Sequence, residues 1–201
     1  MRSKPKSSTR QDRRKGDKRE RTRAKLLEAA RELVREKGFE HTSLEQIAGR
    51  AGMTTGAIYG NFKSRDDLFI ALGLRYWEPI KPRVKPGADF AGVMRAIADA
   101  TIAAIPDRAA AAVGRLTGLA YTLQHETMRE DVAKITAESY AFGEEWLRSV
   151  TSPEELPMPA AQLVRVIHAM SEGLVFQRLL TPDLIPDRVI RAAFAALARD
   201  K

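Results

Sequence analysis

TSLEQIAGRAGMTTGAIYGNFK, residues 42–63, is the stretch whose reading decides the fold. It divides into two short helical runs around a glycine. A helix-turn-helix needs a small residue where its helices cross, a turn residue tolerant of positive φ, and apolar anchors on both helices. Ala48 meets the first need and Gly52 the second, while Ile47, Ala51, Ile58 and Phe62 supply the anchors. With Ser43 as N-cap, Gln46 falls at the third helical position and forms a weak capping box. An ordinary helical hairpin inside a bundle would also favour alanine and glycine. Polarity weighs against it, because Thr54, Thr55, Tyr59, Asn61 and Lys63 leave the second run with a hydrophilic outer face. Two turns are also too few for packing alone to justify such a helix.

Upstream lies a basic arm. Residues 1–25 carry twelve Lys and Arg against Asp12, Asp17 and Glu20, so the arm holds +9 while the other 176 residues sum to −1. Charge concentrated in this way suits a polyanionic partner, and its place beside a helix-turn-helix pattern favours DNA over a merely solubilising tail. The 201 residues contain no cysteine, which excludes disulfides, thiolate metal sites and cysteine nucleophiles and fits a reducing cytosol. No N-terminal apolar region or uninterrupted apolar run suggests a leader or a membrane span, so a soluble cytoplasmic protein is expected.

The first twenty residues, charged and poor in large apolar side chains, are expected to stay mobile until bound. From Thr22 a helical stripe begins: Leu26, Ala30 and Leu33, widened by Leu27 and Val34, with Gly38 as its stop. Ser64-Arg65-Asp66-Asp67 opens a further helix that runs to about Trp77, with acidic residues in its first turn. Pro79, Pro82 and Pro86 forbid regular helix in the connection that follows. Beyond them, four or five longer helices are bounded by proline or glycine. Phe90, Val93, Ile97, Thr101 and Ala104 line one; Val113, Leu116, Ala120 and Leu123 line another; Val132, Ile135, Ser139, Phe142, Trp146 and Val150 give the cleanest stripe. No segment alternates with period two, so the chain is all-α. Three parts are expected: a flexible arm over 1–21, a DNA-binding head over 22–64, and a helical regulatory and dimerisation body over 65–201.

The run from Thr22 to Leu72 resembles the N-terminal domain of the TetR (tetracycline repressor) family of transcriptional regulators. The marks are Glu-Lys-Gly-Phe at the end of the first helix, Thr-Ser-Leu-x-x-Ile-Ala at the opening of the second, and Gly-x-Ile-Tyr-x-x-Phe-Lys at 56–63. The resemblance implies that helix 3, about Thr54 to Asn61, enters the major groove, that Tyr59 and Lys63 contact phosphate, and that Thr42, Ser43 and Gln46 do so from the start of helix 2. Helix 3 has neither Arg nor Gln, the side chains best suited to bidentate base reading. Thr55 offers a methyl group and a hydroxyl, Asn61 and Tyr59 are the longer polar groups, and Gly56 lets the backbone approach closely. Specificity is therefore expected to be shared with the arm, where Arg19, Arg21 and Arg23 stand nearest the head and arginines can enter a flanking minor groove.

A two-turn reader binds weakly alone, so a homodimer on a palindromic operator is expected. The last two helices are the expected interface, through Leu163, Ile167, Met170, Gly173 and Leu174 on one and Ile190, Ala193, Phe194 and Leu197 on the other; the resemblance implies a four-helix bundle across the dimer. Side chains suited to a ligand cavity lie between, namely Trp77, Met94, Tyr121, His125, Phe142, Trp146 and Phe176. Polar groups there are few, which points to a small, largely apolar effector that releases the operator. No cofactor or metal is implied, since His41, His125 and His168 lie far apart in sequence. An architectural DNA-binding protein would explain the arm but leave the long body without a task. A helical small-molecule enzyme is the other alternative, although no catalytic constellation emerges.

Overall fold

The computed structural model describes residues 10–77 and 79–198, with side chains from residue 17 onward. Among the described residues all regular structure is helical: α1 (Arg10–Lys37), α2 (Leu44–Arg50), α3 (Thr55–Tyr59), α4 (Arg65–Tyr76), α5 (Phe90–Gln124), α6 (Glu126–Val150), a single 3₁₀ turn over Pro153–Glu155, α7 (Ala160–Leu180) and α8 (Asp187–Leu197). These helices form two compact units. One gathers the chain up to Arg75 with Gly114–Gln124; the other comprises Tyr76–Val113 and the chain from His125 onward.

Local chemistry sets the boundaries in the first unit. Gly38 ends α1 at φ +82° and Gly52 makes the turn between α2 and α3 at φ +65°, a left-handed conformation that costs glycine little. Ser43 caps α2 and closes a full capping box, its hydroxyl accepting from the Gln46 amide while the Gln46 side chain accepts from the Ser43 amide. Ser64 caps α4 by accepting from the Asp67 amide at 3.0 Å. Leu26, Ile47, Ile58 and Leu68 are wholly removed from solvent, and Leu33, Ala48 and Phe62 nearly so. Each such aliphatic side chain contributes roughly 1.5–3 kcal/mol of burial.

Two expectations fail on helix length. α1 reaches back to Arg10, so twelve residues of the arm expected to be mobile are helical. Adding turns to a helix already formed avoids the nucleation cost, and an arm of mostly Lys, Arg and Glu has good propensity. The proline at 106 was expected to separate two helices, yet α5 runs through it. The flanking alanines, 103–104 and 109–112, are strong helix formers and offset the one lost backbone bond.

The last turns of α5 complete the first unit. Tyr121 stacks on Phe39 (5.8 Å, 26°) and meets Phe69 edge-on (5.9 Å). The Arg65 guanidinium donates to the Tyr121 hydroxyl, to the Phe39 carbonyl and, at 3.1 Å, to the Thr42 carbonyl. Burial pushes the Tyr121 phenol up, opposed by the neighbouring Arg65 charge.

The second unit has its own apolar core of Phe90, Val93, Met94, Ile97, Ala98, Leu147, Ala160, Leu163, Ile190 and Phe194, with Trp146, Ile167, Met170, Leu174 and Leu197 packed against it. Arg178 ties α7 to the start of α8 through Asp187 at 3.0 Å, and Arg191 ties α8 to α5 through Asp99 at 2.9 Å.

Candidate nucleic-acid interface

α3 is held from beneath by Ile58 and presents its other side outward. Thr54, Gly56 and Lys63 are exposed, Tyr59 is 61% exposed, and Thr55 is half-buried. Thr54 stands at the N-cap with its side chain uninvolved in capping. A Cβ built on Gly56 would meet nothing nearer than the Thr54 hydroxyl at 3.7 Å. Nothing inside the chain therefore demands glycine there.

Several residues expected at this surface have hydrogen-bond partners inside the chain. Thr42 is 1% exposed and donates its hydroxyl to the Gly38 carbonyl at 2.7 Å, so its side chain is structural. Asn61 folds onto its own turn, its side-chain amide donating to the Ala57 carbonyl at 2.7 Å. Arg23 lies 4.3 Å from the centroid of the Phe62 ring and donates to the Asn61 carbonyl at 2.8 Å. It braces the end of α3 instead of reaching outward. Ser43 and Gln46 are occupied with capping α2, and Gln46 also accepts from Lys37. All five are expected at DNA, three of them through the resemblance. Only the hydrogen bonds show which of them the fold consumes.

The start of α2 carries its own anion. An open concavity of about 380 Å³ is lined by Glu40, His41, Thr42, Ser43, Leu44, Glu45, Gln46 and Arg65. Glu45 accepts from its own backbone amide and from Ser43, which holds its carboxyl below the usual range. A phosphate approaching this end of α2 meets a carboxylate already seated on the helix's positive end. The exposed set is thus Thr54, Gly56, Tyr59 and Lys63 beside the half-buried Thr55, with Gln46 on α2 and Arg19 and Arg21 on α1 exposed as well.

The pattern described as bacterial regulatory proteins of the tetR family matches residues 26–72, the packed part of α1 through most of α4. The HTH-type transcriptional regulator AcrR of Shigella flexneri is 48% identical over 48 residues, which is 24% of this chain and 22% of that protein. TtgR of Pseudomonas putida, another HTH-type transcriptional regulator, is 43% identical over 51 residues, 25% of this chain and 24% of its own. Across nearly the whole chain, the crystal structure of NalD, the secondary repressor of the MexAB-OprM multidrug efflux pump in Pseudomonas aeruginosa, superposes with a TM-score of 0.62 at 27% identity, covering 90% of this chain and 97% of that one. Residues 26–72 are thus similar to the N-terminal part of TetR-family regulators. The curated relatives match it over less than a quarter of their own length, so the kinship is one of the DNA-binding head.

The residues expected to line one cavity fall in different local environments. Tyr121 belongs to the first unit, Phe142 is 74% exposed, His125 stands at the N-cap of α6, and Met94 and Trp146 belong to the apolar core. Trp77 and Phe176 do meet, stacked at 5.2 Å and 13°. Two residues missed by the sequence reading join them. Arg108, buried, lies 4.4 Å over the Trp77 ring, and Glu172 accepts from the Trp77 indole and stands 3.8 Å from Arg108. The available signal was a lone arginine within an alanine run.

The expected interface also divides. Leu163, Ile190 and Phe194 are fully buried within the single chain, where α7 and α8 pack on α5, so these three face away from any partner. Gly173 is exposed with open space beyond it, and Val166, Ala169, Gln177, Leu180, Ala192, Ala195 and Ala196 are exposed too. Among the described residues no helix is long and apolar enough to cross a membrane, and no group of three His, Asp or Glu could hold a metal.

Proposed function

We propose that the chain is a cytoplasmic transcriptional repressor, not an enzyme, that binds a palindromic operator as a homodimer and leaves it when a small molecule occupies the body. The observation that carries this reading is α3: a short helix anchored by Ile58, with Thr54, Thr55, Gly56, Tyr59 and Lys63 outward, inside a head shared with named regulators. NalD, similar over nearly the whole chain, is named as a repressor. α3 enters the major groove, with Gly56 giving close approach and Tyr59 and Lys63 on phosphate.

For dimerisation the reading uses the outer face of α7 through Val166, Ala169, Gly173, Gln177 and Leu180, with Ala192, Ala195 and Ala196 of α8. Ile167, Met170, Leu174, Ala193 and Leu197 support that face from beneath. The effector is small and largely apolar, with an aromatic part for Trp77 and Phe176 and one polar group for Arg108 or Glu172. Release follows if it binds the non-DNA-binding geometry more tightly, since equal affinity for both shifts nothing.

Selection of duplexes from a random library by the full chain tests the reading. One palindrome with half-sites about 34–36 Å apart is the expected product. Retention of every duplex alike would establish an architectural protein instead.

A further inference from the structure

The N-terminal extension of α1 is the largest feature the head does not use for folding. Leu26 is the first buried side chain among those described on α1 and Arg23 already braces α3, so residues 10–22 precede the packed part, within a basic segment 10–25 about 24 Å long at 1.5 Å per residue. That segment holds nine Lys and Arg against three acidic residues. Their spacing is not random. Positions 10, 14, 18, 21 and 25 are all basic and recur at steps of four, four, three and four, which places them on one side of the helix. Lys18, Arg21 and Lys25 are exposed, and none has an ion pair among the described residues. Farther along the same helix the cations and anions are matched, Arg31 with Glu28 and Arg50 of α2 with Glu32 and Glu36.

Like charges one turn apart on a helix repel. A solvated surface helix would intersperse acids and bases, whereas this stripe sustains repulsion along four turns that a polyanion would relieve. An α-helix with its side chains is about 10–12 Å across and the minor groove is only about 6 Å wide, so a helical arm is too thick to enter it.

We infer that residues 10–25 form a helical rail that binds the phosphates of duplex DNA flanking each half-site, along the backbone and outside the minor groove, through the basic positions of this stripe, Lys18, Arg21 and Lys25 among them. The inference rests on the reading of the head as a DNA binder. About 24 Å of helix spans roughly seven phosphates of one strand at 3.4 Å each.

Register distinguishes a rail from a loose arm. Two alanines inserted between Arg21 and Thr22 rotate the upstream stripe by about 200° while leaving charge and composition of the arm unchanged; four alanines rotate it by only about 40°. Binding of the full chain is measured across a salt series, on the selected duplex with long flanks and with flanks trimmed to the half-sites. On long flanks the two-alanine chain should lose about tenfold or more in affinity and about 0.9 in salt slope per phosphate contact removed. The four-alanine chain should stay close to the parent, and trimmed duplexes should abolish the difference. Equal loss for both insertions, or none for either, would overturn the rail, as would indifference to flank length. A parent chain that selects no duplex would overturn the reading of the head itself, which is a separate outcome.

Discussion

Arg65 in the head and Arg108 in the body both lie against an aromatic ring, and their partners differ in kind. In the head, Arg65 lies 4.6 Å from the centroid of Phe69 and directs its donors at two main-chain carbonyls and the Tyr121 hydroxyl. Those partners are fixed by the backbone, so the arrangement behaves as a closed strut. In the body, Arg108 lies over Trp77 and faces Glu172 at 3.8 Å, beyond hydrogen-bond range. The partners shown for Arg108, Trp77 and Glu172, are side chains, which rearrange more readily than the main-chain carbonyls that hold Arg65.

The largest expected effect tests the rigid side. Ile58→Ala should cost the head about 2–5 kcal/mol, read as lost hydrogen-exchange protection in α1–α4 while the body's core stays protected. Next, Arg65→Ala removes the hydrogen bonds to the Phe39 and Thr42 carbonyls and the Tyr121 hydroxyl and should cost about 2–3 kcal/mol in the same experiment. Glu172→Gln keeps an acceptor for the Trp77 indole and removes only the charge facing Arg108. Given the 3.8 Å gap and partial exposure of Glu172, about 1–2 kcal/mol is expected, below the range for a tight buried pair. A larger loss than that from Arg65→Ala would reverse the comparison. Gly56→Ala should stabilise the head by up to about 1 kcal/mol yet weaken duplex affinity about tenfold, separating folding from recognition by melting and binding on one preparation.

The smallest effect concerns pH. The Arg50 hydrogen bond holds the Glu36 carboxyl below its usual range. A folded-state value below the unfolded one gives stability that is present above the ordinary carboxylate range and lost as pH falls through it. Thermal melts from neutral pH downward should show that slope reduced in Glu36→Gln.

The head was legible because its signals are local. Gly38 and Gly52 take the positive φ their positions require, and Ser43 with Gln46 closes the capping box their spacing suggests. The site was legible only as a neighbourhood, since Thr42, Asn61 and Arg23 carry the right chemistry but the fold spends it on carbonyls of the same unit. In the body, aromatic content alone could not divide Tyr121 from Trp77, because membership of one unit or the other depends on contacts remote in sequence. The proline at 106 misled for a related reason: one missing backbone bond is weaker than the alanine runs on either side.

The head is not contiguous in the chain. Its α1–α4 portion ends at Arg75, while the segment that supplies Tyr121 ends at Gln124, 49 residues later. At about 5–20 residues per second, a ribosome takes roughly 2–10 s to deliver that last piece. Until then Arg65 lacks one of its partners and the Phe39–Phe69 cluster lacks its third ring. A nascent chain therefore passes through a stage with every DNA-facing residue made and the reader not yet braced, and a fragment cut at Arg75 would preserve that unfinished stage.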